Sequence, residues 1–199
     1  GRSRWIAFID LDEYLFCPSG EPLPRYLEGK IAFPVHVVYW LVFGTSGREF
    51  PTDRLLIDAY RWRAAAPTRA GRDKILCNYK SIIQPTLARR VRGAHNFYLP
   101  DGSIGFDEAG DKVWRLRPRA VRYERIRVNH YYTKSRAEWE GRRGAKIASG
   151  GAISERFLDR AFRKVHADQV EDVSASAFAP ALEARMRDHV VSELRGRIA

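Results

Sequence analysis

Methionine is almost absent from this chain of 199 residues: Met186 is the only one, and the first residue is Gly1. With an apolar run beginning almost at once, the chain reads as the C-terminal part of a longer protein. Cysteine is nearly as scarce. Cys17 and Cys77 lack metal-ligand spacing, and two cysteines alone make neither a disulfide framework nor a redox motif. A reducing, cytoplasmic setting is the expectation. No apolar run approaches the roughly 18 residues a membrane span requires, and there is no signal-peptide pattern. The chain is expected to be soluble. Internal repeats and long low-complexity tracts are missing too, so the length points to one domain or a little more.

Acidic residues are the minority charge, 24 against 35 basic, giving +11 and a pI near 10.0. Such a balance favours anionic partners: phosphate-bearing substrates, nucleic acid or an anionic membrane surface. The arginines are dispersed, as at Arg61, Arg63, Arg115, Arg122 and Arg127, and no recognised nucleic-acid motif gathers them. An ordinary solvated surface explains much of this charge.

Against that background one stretch stands out, Trp5-Ile6-Ala7-Phe8-Ile9-Asp10-Leu11-Asp12-Glu13-Tyr14-Leu15. It reads as a buried strand whose hydrophobicity stops at two carboxylates. Side chains two apart on an extended chain share a face, so Asp10 and Asp12 are expected to hold one hard divalent cation and leave positions for phosphate oxygens. Capping a strand and solvating a turn is the plainer job for the same pair.

Downstream, Pro18 to Pro24 is a turn-rich loop, and Val35 to Phe43 is β-branched and aromatic, ending at Gly44 as a central strand would. Asp53 is expected to cap a helix carrying Leu55, Leu56, Ala59 and Tyr60 on one side. Lys74 to Ile83 reads as a bent strand or strand pair, Asp101-Gly102 as a hairpin turn, and Arg125 to Tyr131 as a strand stopping near His130. Ser135-Arg136-Ala137-Glu138 has the spacing of a capping box, which favours a structural job for Glu138. Beyond Gly150-Gly151, Ile153, Phe157, Ala161, Phe162 and Val165 form one helical ladder and Leu182, Met186, Val190 and Leu194 another. Asp168 to Pro180 between them reads as a connector. Residues 1–149 and 150–199 are accordingly taken as two parts.

The ordered blocks Trp5 to Leu15 with Cys17-Pro18, Trp40 to Gly47, Lys80 to Pro85, His95, and Val128 to Ser135 with Glu138 resemble glycosyltransferases of the family 2 and family 92 type. The resemblance covers about residues 4 to 146. It implies an α/β chain with a GT-A-like mixed sheet, followed here by C-terminal helices. It further implies metal-dependent, inverting transfer of a sugar from a nucleotide-sugar donor to a saccharide or other hydroxyl acceptor. Such enzymes carry a nucleotide-binding βαβ portion before the D-x-D strand, whereas this chain begins at the strand, so the piece alone is expected to be inactive.

Diphosphate departure leaves negative charge that a cation and basic side chains meet, so Mn²⁺ or Mg²⁺ is the expected cofactor. Asp10 and Asp12 supply its carboxylates. His130, ending another strand, is the candidate third ligand or diphosphate partner. Lys134, just before a helix start where free amides favour anions, could reach the leaving phosphate. Gly44 and Ser46 sit in a turn that could approach the sugar, and Trp40 could stack on an acceptor, although core packing is the commoner fate of such a tryptophan. Lys80 and His95 enter as substrate-binding residues by resemblance alone. Glu13, Glu49 and Asp53 are the candidate bases for the acceptor hydroxyl, and nothing in the sequence chooses among them.

Two other classes fit parts of the chain. A haloacid-dehalogenase-type phosphohydrolase would use a strand-terminal D-x-D, but its pattern wants Thr or Val, usually after Gly, where Tyr14 follows Glu13, and a late acidic pair in an apolar setting, whereas Glu171-Asp172 lies in the connector. A polyanion binder would use Tyr60-Arg61-Trp62-Arg63. Peripheral contact with an anionic membrane is a further expectation; specific nucleic-acid recognition is not.

Overall fold

A computed structural model describes residues 3–67, 75–87, 90–91, 95, 97–114, 120–148 and 154–198. Lys74, Ile153 and the boundary expected at residues 149 and 150 lie outside them, as do the side chains of Val190 and Leu194.

In chain order the elements are β1 (Ile6–Ala7), β2 (Glu13–Phe16), α1 (Leu23–Glu28), β3 (Val35–Val42), α2 (Leu56–Ala59), β4 (Trp62–Ala64) and β5 (Tyr79–Ile83). There follow β6 (Arg90–Val91), β7 (Phe97–Tyr98), β8 (Gly105–Phe106), β9 (Lys112–Val113) and β10 (Arg127–His130). The chain closes with α3 (Arg136–Ala148), α4 (Glu155–Ala167), β11 (Gln169–Glu171) and α5 (Ala179–Ile198). The main sheet runs β1-β5-β3-β10-β2, with β8 and β9 added beside β3. It is mixed: β10 is parallel to β3 but antiparallel to β2, and β3 is antiparallel to β5.

β3 is the spine. All eight of its residues are buried, as a strand flanked on both edges and covered on both faces requires. Its alternation divides the core. Val37, Tyr39 and Leu41 face a cluster with Ile57, Tyr60, Ile104, Tyr123 and Tyr131, while Val38, Trp40 and Val42 face Ile82, Val128, Trp139, Leu158, Ala161 and Val165. The ladder read from the sequence for α4 therefore packs on the sheet, with Ser154 capping its start through the amide of Phe157.

Several expectations are corrected. The run from Trp5 to Leu15 is not one buried strand. Ile6 and Ala7 pair with Ile83 and Ile82 at the sheet's edge, the strand stops there, and Ile6, Phe8 and Leu11 are 36%, 48% and 98% exposed. The chain then turns, Glu13 N donating to Asp10 O at 3.0 Å, and re-enters the sheet at its opposite edge as β2. Asp53 caps nothing; α2 is a single turn begun at Leu55 without a side-chain cap, burying Ile57 and Ala59. Asp101-Gly102 does form the tight turn expected, Gly102 at φ +81° with its amide on Leu99 O and Leu99 N donating to Ser103 O across it, while β7 pairs with β6. The connector contains a strand, β11 on β4, and Asp172 after it is gripped by Arg63 and Arg127. On α5, Leu182 packs against the core, whereas Met186 is 52% exposed, so the second ladder is not one buried stripe. No helix among the described residues is long and apolar enough to cross a membrane.

Candidate functional site

Register assembles the site. β10 lies between β2 and β3 so that His130 stands opposite both Glu13 and Val42, and β5 sets Lys80 opposite Val38. Side chains directly opposite share a face. Lys80, Trp40, His130 and Glu13 therefore gather on the α4 side of the sheet, at the end where the Asp10–Glu13 turn lies.

Asp10 and Asp12 are on that turn. Asp10 N donates back to Glu13 Oε2 at 3.1 Å, and Asp12 O accepts from Tyr131 N at 2.8 Å, fixing the turn to β10. Lys80 is sealed, its side chain 1% exposed, with Nζ 2.9 Å from Asp10 Oδ2 and 3.0 Å from Glu13 Oε2. The Lys80 hydrogen bond holds the Asp10 carboxyl below its ordinary range. Burial pushes Glu13 up, against the backbone amide of Asp10 and Lys80, which favour its ionised form.

His130 Nε2 lies 3.7 Å from Asp12 Oδ1 and His130 Nδ1 3.9 Å from Glu13 Oε1, although 118 positions separate His130 from Asp12 in the chain. Burial lowers the imidazole to about 4, outweighing Asp12, so it is neutral near pH 7. Trp40 packs its ring 4.5 Å from His130 and edge-on to His95 at 5.9 Å. His95 Nδ1 donates to Tyr79 O at 2.8 Å. Three buried polar atoms on the strands here have no hydrogen-bond partner, Glu13 Oε1, Trp40 Nε1 and His130 Nδ1, and Nη2 of Arg142 on α3 is a fourth. Buried polar atoms are paired in the great majority of cases, so four orphans in one cluster point to a bound water or ligand group.

Arg142, which the sequence reading did not single out, completes the rim. Its Nη1 is 3.5 Å from Asp12 Oδ2, and its guanidinium lies over Tyr132 and Trp139 at 5.0 and 5.2 Å. The signal was available in the helix phase: the capping box starts α3, and Arg142 and Lys146 fall one and two turns beyond the buried Trp139. Burial lowers Lys146, and the neighbouring Arg142 adds to this.

The remaining candidates make their contacts elsewhere. A Cβ on Gly44 would meet Gln169 and His166, and Thr45 N donates to His166 Nε2 at 3.0 Å, so this turn packs beneath α4 and β11. Ser46 Oγ accepts from the amides of Arg61 and Trp62. The amides of Arg136, Ala137 and Glu138 are taken by Arg48 O, Glu49 O and Ser135 Oγ, so the free amides expected beside Lys134 are occupied. Glu49 and Asp53 are exposed. Asp172 of the Glu171-Asp172 pair is buried against Arg63 and Arg127, so it holds the end of β11 in place.

Among the described residues no three His, Cys, Asp or Glu side chains are grouped so as to hold a metal by themselves. Asp10 and Asp12 nevertheless fit the mode in which one or two carboxylates hold a cation and substrate phosphates supply the rest. Asp10, 65% exposed at its side chain, faces solvent for such a ligand.

A mixed sheet with helices after it is compatible with part of a GT-A-like fold. No protein-family profile matches the chain. A glycosyltransferase family 92 protein of Oryza sativa subsp. japonica is 28% identical over 109 residues, covering 50% of this chain. That stretch is 16% of the rice protein's length. The likeness supports a glycosyltransferase-like relationship.

Proposed function

We propose that this chain forms the cation-binding and acceptor side of a glycosyltransferase that moves a sugar from a nucleotide-sugar donor to a hydroxyl acceptor. The carrying observation is the juxtaposition of the Asp10–Glu13 turn with His130 and Arg142 around Asp12. Asp10 and Asp12 would hold Mn²⁺ or Mg²⁺, which when bound offsets the charge of the departing diphosphate. His130, kept neutral by burial, offers a nitrogen to the cation or the diphosphate. Arg142, braced on Tyr132 and Trp139, sets a fixed positive charge beside Asp12 without the entropy cost of a loose side chain. Glu13 is sealed at 0% side-chain exposure and bound by Lys80, so it supports the turn rather than taking the acceptor's proton. Inversion is carried over from the family resemblance. Exposed Arg156, Arg160 and Arg163 on α4 support peripheral contact with an anionic membrane surface.

Calorimetric titration of Mn²⁺ in the presence of inorganic diphosphate tests the site. Asp12→Asn is expected to weaken binding at least about tenfold, since it removes a charged ligand that the other groups cannot replace. Equal affinity in wild type and variant would remove the site.

A further inference from the structure

Resting on the cation site proposed above, we propose that Lys80 is an internal counter-ion that makes divalent-cation binding at Asp10 and Asp12 conditional on an arriving diphosphate. Lys80 cannot serve as a substrate contact. Its side chain is 1% exposed, and its ammonium is committed to Asp10 Oδ2 at 2.9 Å and Glu13 Oε2 at 3.0 Å. It acts through those carboxylates, as a positioning residue.

The charges show the consequence. Asp10, Asp12 and Glu13 bring three negative charges within four residues, while Lys80 and Arg142, with Lys146 acting on Asp12 from one turn further along α3, bring three positive ones against them. No net negative charge remains. A dication entering alone meets too little opposing charge to repay its lost hydration, the more so because Asp10 is already bound by Lys80. A diphosphate brings at least two further negative charges and its own oxygen ligands. Cation and diphosphate then bind together, and the coupling is reciprocal: each raises the other's affinity by the same factor. Lys80 is held for this task from below by strand pairing, opposite Val38 on the fully buried β3, so its ammonium cannot swing into solvent.

If Lys80 merely satisfies buried Glu13, removing it will weaken or leave unchanged the binding of cation. If it is a counter-ion, removing it will strengthen binding of cation alone. Because Lys80→Met leaves Glu13 buried without its partner, the comparison is made in two backgrounds: wild type against Lys80→Met, and Glu13→Gln against Lys80→Met with Glu13→Gln. Mn²⁺ is titrated into each with and without inorganic diphosphate, and each is melted.

Loss of Lys80 is expected to raise the affinity for Mn²⁺ alone about tenfold in either background, the scale of a unit charge removed from a partly buried site, and to shrink the enhancement by diphosphate. Lys80→Arg, which keeps the charge, is expected to keep that enhancement. Equal or weaker Mn²⁺ binding in the double variant than in Glu13→Gln overturns the inference, and so does failure of the double variant to fold, which would make Lys80 a structural residue. Asp12→Asn separates the two readings: if it leaves Mn²⁺ and diphosphate binding intact the site itself fails, whereas if it abolishes binding while Lys80→Met does not strengthen it, only the counter-ion role fails.

Discussion

Glu138 shows how one carboxylate can resemble a catalytic residue and do other work. It accepts from Ser135 N at 3.0 Å, from Ser135 Oγ at 2.6 Å and from Tyr60 OH at 3.1 Å. Burial would raise its pKa, but these hydrogen bonds win and hold it below the ordinary range. The first turn of α3 and the Tyr60 ring, which lies in the opposite core cluster, are thus tied together by one group. Replacing Glu138 with Ala leaves three donors to find new partners, so it is expected to cost about 1–3 kcal/mol of stability. Denaturant unfolding measures this. Mn²⁺ and diphosphate affinity should stay unchanged, and a parallel loss of affinity would place Glu138 in the site.

Among the described elements, β11 leans heavily on a single residue, Asp172. Its three residues pair only with β4, and the chain beyond is held by Asp172, which meets Arg63 at 2.7 Å and Arg127 at 2.8 Å and also accepts from Ser174. Burial would raise the Asp172 pKa, yet Arg63, Ser174 and Arg127 bring it to about 2. Asp172→Ala strands the buried Arg127 guanidinium and the partly buried one of Arg63 and should cost about 3–5 kcal/mol, as breaking buried pairs does. A loss below about 1 kcal/mol in denaturant unfolding would mean that the pair behaves like a surface ion pair.

The same clasp explains what the sequence could and could not disclose. The capping box at Ser135, the strand at Val35 and the α4 ladder were legible because each is set by residues within a few positions. The strand in the connector was not, because Gln169-Val170-Glu171 is a strand only through β4, about a hundred residues earlier. The Asp10 stretch misled for a related reason. Its continuous apolar run from Trp5 to Ile9 read as a strand carried on to the carboxylates, but Glu13 is drawn into the β2–β10 pairing and bound by Lys80, and the chain must turn to bring it there. His130 was legible as a strand end, and its nearness to Asp12 followed from that. Arg142 needed only the helix phase that the capping box already fixed.

At the scale of the whole molecule, buried imidazoles set the response to acid. His36 is fully buried on β3, with Nδ1 donating to Phe106 O at 3.1 Å and Nε2 accepting from Tyr26 OH at 2.9 Å, and burial, with Lys30 nearby, lowers it to about 4. His130 is lowered to about 4 and His166, clamped between Phe162 O and Thr45 N, is lowered as well, both chiefly by burial. A histidine whose folded pKa lies below its unfolded value binds fewer protons folded than unfolded between the two. Stability therefore is complete above about pH 6.5 and is lost as pH falls toward 4. For His36 alone the fall from 6.5 to about 4 corresponds to at most about 3 kcal/mol. Glu13 and Glu108, both raised by burial, act in the opposite sense, since acid relieves the cost of their buried charge. They soften the loss without reversing it, because three imidazoles, two of them lowered to about 4, stand against two buried carboxyls whose charge Lys80 and backbone amides help to hold. Denaturant unfolding at pH 7.5, 6.0 and 5.0 should show stability falling by at least about 2 kcal/mol across the series. His36→Gln, which retains a donor and an acceptor for Phe106 and Tyr26, should be less stable at pH 7.5 yet lose less on acidification. A stability independent of pH over that range would show that these imidazoles titrate in the folded protein as they do in the unfolded chain.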